Sequence, residues 1–320
     1  MATYKGIQGY TVQSLSPDPT ASEAAGQLWY NSTSGKFKIS VAGAGAWASG
    51  TAINTGRTTL AAAGITTAGL IFGGSDTALT ETWNGSTWTE VGNLPGVKAG
   101  NGGFGTNTAA VSCGGTPAPT NTTAAKWDGT SWTATGVLNS GTNLMGASGT
   151  QTAGMKFGGD DYDDETETFD GSTWTEEADL NLARKAGGPS SEGTVTASLY
   201  AGGEVGPAIP SRRTPDTETW NGTSWTEESD LNTERSGCAG FGTSTAAIVF
   251  AGQTPITPTS AITEEWNGTS WTEVADLATG IQNMTGLGTS GSGFSIAGHP
   301  ALTAVEEWSI PNATKTFTAS

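Results

Sequence analysis

The side chains able to do chemistry in this 320-residue sequence gather in stretches that interrupt a repeat. One reads DDYDDE, with Asp160, Asp161, Asp163, Asp164 and Glu165 around Tyr162. A second, EVGPAIPSRRTPD, carries Arg212 and Arg213, and a third begins with His299. Clustered carboxylates suit Ca²⁺, a hard cation that takes several oxygen ligands. The spacing lacks the central Gly and the twelfth-position Glu of an EF-hand loop, so a solvated acidic loop is the preferred reading and no cofactor is assigned. Arg212 and Arg213 suit either a carboxylated sugar or a neighbouring acidic loop. His299 is the only histidine, which excludes catalytic or metal schemes that need two within one chain. Carboxylate pairs for acid–base work are plentiful, yet nothing selects one pair. Neither a nucleophile elbow nor a phosphate-binding loop is present, and no catalytic residue is assigned.

The elements that must position these stretches come from internal self-similarity. An aromatic pair recurs at a spacing of five: Trp83/Trp88, Trp127/Trp132, Phe169/Trp174, Trp220/Trp225 and Trp266/Trp271, with NGST, DGTS, DGST, NGTS and NGTS between. Asn-Gly or Asp-Gly between β-favouring segments predicts a type I′-like hairpin, both central residues tolerating φ > 0. A second mark is a pair of glycines ten apart, Gly64/Gly74, Gly105/Gly115, Gly149/Gly159, Gly193/Gly203, Gly242/Gly252 and Gly288/Gly298. Each interval reads as a turn and then an apolar strand, which adds a second hairpin per repeat. Four strands in about 45 residues is the size of a propeller blade. The expected fold is therefore all-β: a six-bladed, kelch-like β-propeller of four-stranded blades.

Spacing also predicts how the ring closes. Lys98, Arg184 and Arg235 lie ten residues after Trp88, Trp174 and Trp225, and Arg57 lies ten after Trp47. Trp47 thus reads as an outer strand without its own first three, while the last repeat has Gly298 and Trp308 but no second hairpin Trp. The strand around Trp47 is expected beside Glu306, Glu307 and Trp308. The alternative puts Phe317 of the tail in that outer strand and Trp47 in a seventh blade. The basic residues are expected to pair with Glu in the TETW strands rather than ring the channel mouth. Residues 1–46 form an N-terminal module, with an extended arm at SPDPTASEA and a hairpin of Leu28, Trp29 and Tyr30 against Phe37 and Ile39 across a turn at Asn31 to Gly35. Residues 47–320 are assigned to the propeller.

GQLWYNSTSGKFKI followed by a Gly/Ala-rich stretch and Trp47 resembles segments of bacteriophage tail-fibre and other virion proteins, marine ones in particular. The repeat GTxTAAxxFGG…TETWNGTSWTE is similar to kelch-like repeats of virion-associated proteins from marine phages. Its aromatic positions are closer together than in ordinary kelch motifs, and the double Gly becomes Ala-Gly in the last two repeats. The resemblance implies a non-enzymatic virion structural protein: a tail fibre, spike or capsid decoration with a role in host attachment. The N-terminal module would bind other virion proteins, and the propeller a host-surface glycan or protein, with homo-oligomers possible. The chain would be made in the host cytoplasm without a signal peptide and act in the virion. A lectin-like propeller outside virions and a glycan-cleaving propeller are the alternatives. The Asp-Gly-Ser-Thr-Trp text also resembles the structural Asp-box turns of sialidases, without the arginine cluster and Tyr/Glu nucleophile their chemistry needs.

Composition narrows the partners. A net charge of −17 repels phosphate backbones and anionic membranes, so nucleic acid is not expected. No apolar run reaches the length of a membrane span. Cys113 and Cys238 read as small buried residues rather than a disulfide pair. The distances from the second Gly to the next aromatic vary from 9 residues (Gly74 to Trp83) to 17 (Gly203 to Trp220). In a four-stranded blade these loops share one face with those entering the next blade. Binding residues usually collect in loops that vary on a rigid scaffold, so Asp160, Asp161, Tyr162, Asp163, Asp164, Arg212, Arg213 and His299 are the candidate ligand contacts.

Overall fold

The computed structural model describes residues 12–19, 27–75, 77–117, 121–206, 212–300 and 302–317. It forms two units, one of residues 46–309 and one joining residues 1–45 to 310–320. Seven four-stranded sheets are present among the described residues. No helix there is long and apolar enough to cross a membrane.

Six sheets belong to the larger unit. Blade 1 runs Ala61–Ile65, Ala68–Phe72, Thr80–Trp83 and Trp88–Glu90, all antiparallel. Blades 2 to 5 repeat this order over 102–134, 146–176, 188–227 and 239–273. Blade 6 takes Thr285–Thr289, Ser292–Ile296 and Val305–Ser309 and is completed by Ala46–Ser49. The innermost strands touch cyclically, the sixth returning to the first, which makes the arrangement a closed propeller. Trp47 lies opposite Trp308 as predicted, and the seventh-blade alternative is ruled out.

The recurring aromatics explain the blade spacing. Wherever the first of a pair is Trp, in every blade but the third with its Phe169, it donates its indole N–H to a carbonyl in the turn between the blade's first two strands, as Trp83 does to Thr66 O at 2.8 Å and Trp308 to Ser290 O at 2.9 Å. The second reaches the preceding blade. Trp132, Trp225 and Trp271 donate to Thr80, Thr166 and Thr217 hydroxyls at 2.9 to 3.0 Å. Trp47 makes the same bond to Thr263 at 3.0 Å and stacks edge-on with Phe250. The closing strand therefore does what the outer strands of blades 2, 4 and 5 do, whereas Trp88 and Trp174 donate to the Thr51 and Gly136 carbonyls.

The aromatic-pair hairpins differ from the type I′ expectation. Each loop has four residues, as between Trp83 and Trp88, and in it only the glycine has positive φ, Gly85 at +94° and Gly129 at +96°. The Asn or Asp instead folds its side-chain oxygen over the loop: Asn84 Oδ1 accepts from the Ser86 and Thr87 amides, each at 2.9 Å. Such Asx geometry supplies the turn that a primed pair would otherwise supply. Four bonds, from the amides and the hydroxyls of Thr130 and Ser131, hold the Asp128 carboxyl down at about 2, the Ser131 amide contributing most. In blade 4 the glycine interval is also altered, since its first strand is only Gly188–Pro189 and Gly193 lacks the positive φ of Gly64, Gly105, Gly149, Gly242 and Gly288.

The smaller unit contains the expected hairpin, Leu28–Asn31 against Lys36–Ala42. Gln13–Leu15 adds parallel to it on one side and Asn312–Thr316 antiparallel on the other. Residues 310–320 thus leave the propeller, contrary to the 47–320 assignment, and Phe317 donates to Phe37 O. The five exposed residues of Asn312–Thr316 carry no repeat signal, and an unpaired strand edge accepts such a segment through its backbone alone. The described part of the predicted arm is anchored: Asp18 accepts from Lys38, Trp29 and Asn31, and these bonds, that of Lys38 foremost, hold its carboxyl at about 2. Residues 20–26 lie outside the described residues.

Candidate functional site on the variable face

The glycine that ends each interval builds the mouth of the channel. Gly74, Gly115, Gly159, Gly203, Gly252 and Gly298 all have positive φ, and each amide donates across to the next blade, at Lys98, Thr142, Arg184, Arg235, Ile281 and Arg57 carbonyls. A Cβ on Gly252 would lie 2.7 Å from Ser236 O, so the position admits only glycine at this approach. A second circuit runs through Thr59, Gly100, Leu144, Ala186, Gly237 and Asn283, every one with φ between +53° and +65°. Each amide donates to the carbonyl of the previous member at 2.7 to 2.9 Å, and Thr59 closes the circle on Asn283.

These circuits fix where variable side chains stand. The residue after each ring glycine, Ser75, Thr116, Asp160, Glu204, Gln253 or His299, donates its amide to Thr58, Ala99, Asn143, Lys185, Ser236 or Gln282. Twelve side-chain positions of unlike chemistry therefore surround one opening. Of these the sequence reading singles out only Asp160 and His299. Lys185, Glu204, Gln253 and Gln282 were missed, although "the residue after the second Gly" is a signal that finds six of the twelve at once, Glu204 and Gln253 among them.

The structure joins most of the predicted residues into one polar arc across blades 3 to 6. Burial works against ionisation of Asp160, but Lys185 Nζ at 2.6 Å and Asn143 Nδ2 at 3.1 Å outweigh it and hold the carboxyl below its usual value. Lys185 also lies 4.9 Å from the Tyr162 ring centre, a cation–π distance. The Tyr162 hydroxyl donates to Glu204 Oε1 at 3.3 Å, and Arg212 stands 3.8 Å from the same oxygen. Arg213 donates to Gln253 Oε1 at 2.8 Å, and Gln253 Nε2 bonds Gln282 Oε1. His299 is exposed and joins through its backbone. Asp161 and Tyr162 take left-handed φ of +60° and +58°, which turns the chain toward Glu204. Asp163 opens the strand Asp163–Phe169 and faces Lys156 at 3.9 Å, while Asp164 is exposed.

The acidic loop is thus drawn outward into ion pairs with Lys185 and Lys156. Among the described residues the carboxylates that converge within 4.8 Å are Asp216, Glu227 and Asp230, outside that loop. The predicted pairing of the basic residues with strand glutamates is present at three of the four positions, Arg57–Glu81 at 2.6 Å, Arg184–Glu218 at 2.7 Å and Arg235–Glu264 at 2.5 Å, all buried; at the fourth the expectation fails, because Ala125 stands where the glutamate would be and Lys98 bonds neutral acceptors instead. Burial pushes the Cys113 and Cys238 thiols up to about 12 and 11, which keeps them unreactive.

On the axis itself lies a cavity of about 110 Å³, lined largely by Gly and Ala of the inner strands, space for small, water-sized occupants. Its far end is crossed by Ser191, whose hydroxyl donates to Gly288 O two blades away. A ligand larger than that meets the rim, not the channel. The rim offers hydroxyls, amides, an aromatic face and both charge signs, a set suited to polar, hydroxyl-rich or mixed-charge surfaces.

Six four-stranded blades around a narrow axis, with repeat-invariant residues inside and variable ones at one rim, define a kelch-like β-propeller. The solved structure of YjhT is similar to this chain, with a TM-score of 0.66 over 83% of this chain and 96% of that one, at 12% sequence identity. At that identity the likeness speaks for the fold alone. No protein-family model and no curated protein matches the chain.

Proposed function

We propose that the protein is a structural component of a bacteriophage virion that acts by binding and not by catalysis. The unit of residues 1–45 and 310–320 attaches it to other virion proteins, and the variable rim contacts a host-surface glycan or protein. One observation carries this reading: the six repeated glycines are spent on a closed circuit of bonds between blades, while the side chains that follow them, from Asp160 to His299, differ in chemistry from blade to blade. The resemblance of the repeat and of GQLWYNSTSGKFKI to phage virion segments supplies the particle. The rim groups are mostly paired with one another, which favours recognition of a surface over proton transfer to a substrate.

Immunogold microscopy of source particles, with an antibody to residues 48–320, is expected to label the tail or the head. Absence of label from accessible particles would favour a lectin-like propeller outside virions. For the rim, the purified protein is expected to bind host cells, and the Tyr162→Ala/Arg212→Ala variant to lose about thirtyfold in affinity, as removal of two contacts worth about 1 kcal/mol each implies. Undiminished binding by that variant would move the contact elsewhere, and release of reducing ends from a bound glycan would overturn the non-enzymatic reading.

A further inference from the structure

Blade 2 lacks a network that the other blades share. Asn54, Asn139, Asn181 and Asn232 each donate a backbone amide and Nδ2 to one oxygen of Glu81, Glu167, Glu218 and Glu264, at 2.7 to 3.0 Å. In blade 6 the Ala278 amide does so for Glu306. A buried cation serves four of these carboxylates: Arg57, Arg184 and Arg235, with Lys156 standing 3.3 Å from Glu167 in blade 3. In blade 2 the glutamate position is Ala125 and the asparagine position Pro95, yet a cation remains, Lys98.

Lys98 occupies the place of the Arg57 guanidinium. Arg57 Nη1 donates to Gly73 O and Leu79 O, and Lys98 Nζ donates to the matching Gly114 O at 2.8 Å and to Thr123, the counterpart of Leu79, at 2.6 Å, with Asn121 as third acceptor. Among the described residues no carboxylate lies within ion-pair distance of it. Burial without a counter-ion pushes this ammonium down to about 8. The missing Glu and Asn side chains open a pocket of 420 Å³ beside it, walled by Pro95, Val97, Ala124 and Ala125. A half-buried cation with only neutral acceptors, next to apolar side chains, is electrostatically incomplete.

We propose that this pocket binds a small carboxylate on a short aliphatic stem, its carboxylate standing where Glu81 stands in blade 1 and pairing with Lys98, its stem against Pro95, Val97 and Ala125. The carboxylate exchanges for the Thr123 hydroxyl as an acceptor, and the apolar side that Pro95, Val97, Ala124 and Ala125 present favours an alkanoate stem over the hydroxylated ring of a sugar acid.

The test titrates the full-length protein with sodium butyrate, sodium glucuronate and 1-butanol at millimolar concentrations, reading binding by calorimetry and by the Lys98 side-chain NMR signal. Butyrate is expected to bind at one site and shift that signal, butanol at least about tenfold more weakly because it lacks the charge-assisted bond, and glucuronate at least about tenfold more weakly because its hydroxylated ring replaces the apolar stem. Ala125→Glu, which supplies the carboxylate from the chain itself, is expected to abolish butyrate binding while the melting temperature holds or rises. Lys98→Met is expected to weaken butyrate about tenfold or more. Equal butyrate binding by the wild type and Ala125→Glu, no shift at Lys98, or glucuronate binding as tightly as butyrate would each overturn the proposal.

Discussion

Trp47→Ala is expected to destabilise the propeller by about 3 kcal/mol, near the lower end for large aromatic truncations because the ring is only partly buried. The substitution removes the contacts with Trp308 at 5.4 Å and Phe250 at 5.1 Å and the hydrogen bond to Thr263. Its consequence should exceed that of Trp88→Ala, although both are outer-strand tryptophans. Trp88 is tied to its blade by a four-residue hairpin, whereas Ala46–Ser49 reaches blade 6 only through non-covalent pairing. Urea unfolding followed by hydrogen exchange distinguishes the two: amides of Ser292–Ile296 and Val305–Ser309 should lose protection in Trp47→Ala and keep it in Trp88→Ala. Equal protection in both variants would mean that the closing strand is dispensable.

Arg235→Met is expected to cost about 3 to 5 kcal/mol, the usual penalty for stranding one member of a buried ion pair. Glu264 would keep its bonds from Asn232 but lose its cation inside a dry blade. The Arg235→Met/Glu264→Leu double variant should recover most of the loss, because no unpaired charge remains. Chemical denaturation of the two single variants, the double variant and the wild type measures this coupling directly. Additive losses would show that the pair is not the unit of stabilisation.

The blades were legible in the sequence because their determinants are local and repeated. The Trp pairs mark the outer hairpins, the glycine intervals mark the inner ones, and the distance from Trp47 to Arg57 reveals a strand separated from its blade. The mouth circuit was not legible, since Thr59, Leu144 and Ala186 carry no sign of left-handed φ. That conformation costs about 1–2 kcal/mol for a residue with a Cβ and is held here by bonds between blades that lie 40 or more residues apart in sequence. Nor could spacing show that Lys185 stands over Tyr162 or that Glu204 gathers Tyr162 and Arg212. The same limit applies to Asn312–Thr316, which pairs by backbone and register and not by any apolar pattern.

Closure of one ring by the two distant segments, 46–49 and 305–309, is the claim on which the rim depends, because each rim position is fixed by a neighbour around the full circle. Ser49 lies opposite Glu306, within the Cα separation of about 4.4 to 6.8 Å that a disulfide spans. The Ser49→Cys/Glu306→Cys variant, oxidised in the folded state and digested for mass spectrometry, is predicted to yield the 49–306 crosslinked peptide in nearly every molecule. Free thiols at both positions after oxidation of the folded protein would contradict the closed six-bladed ring.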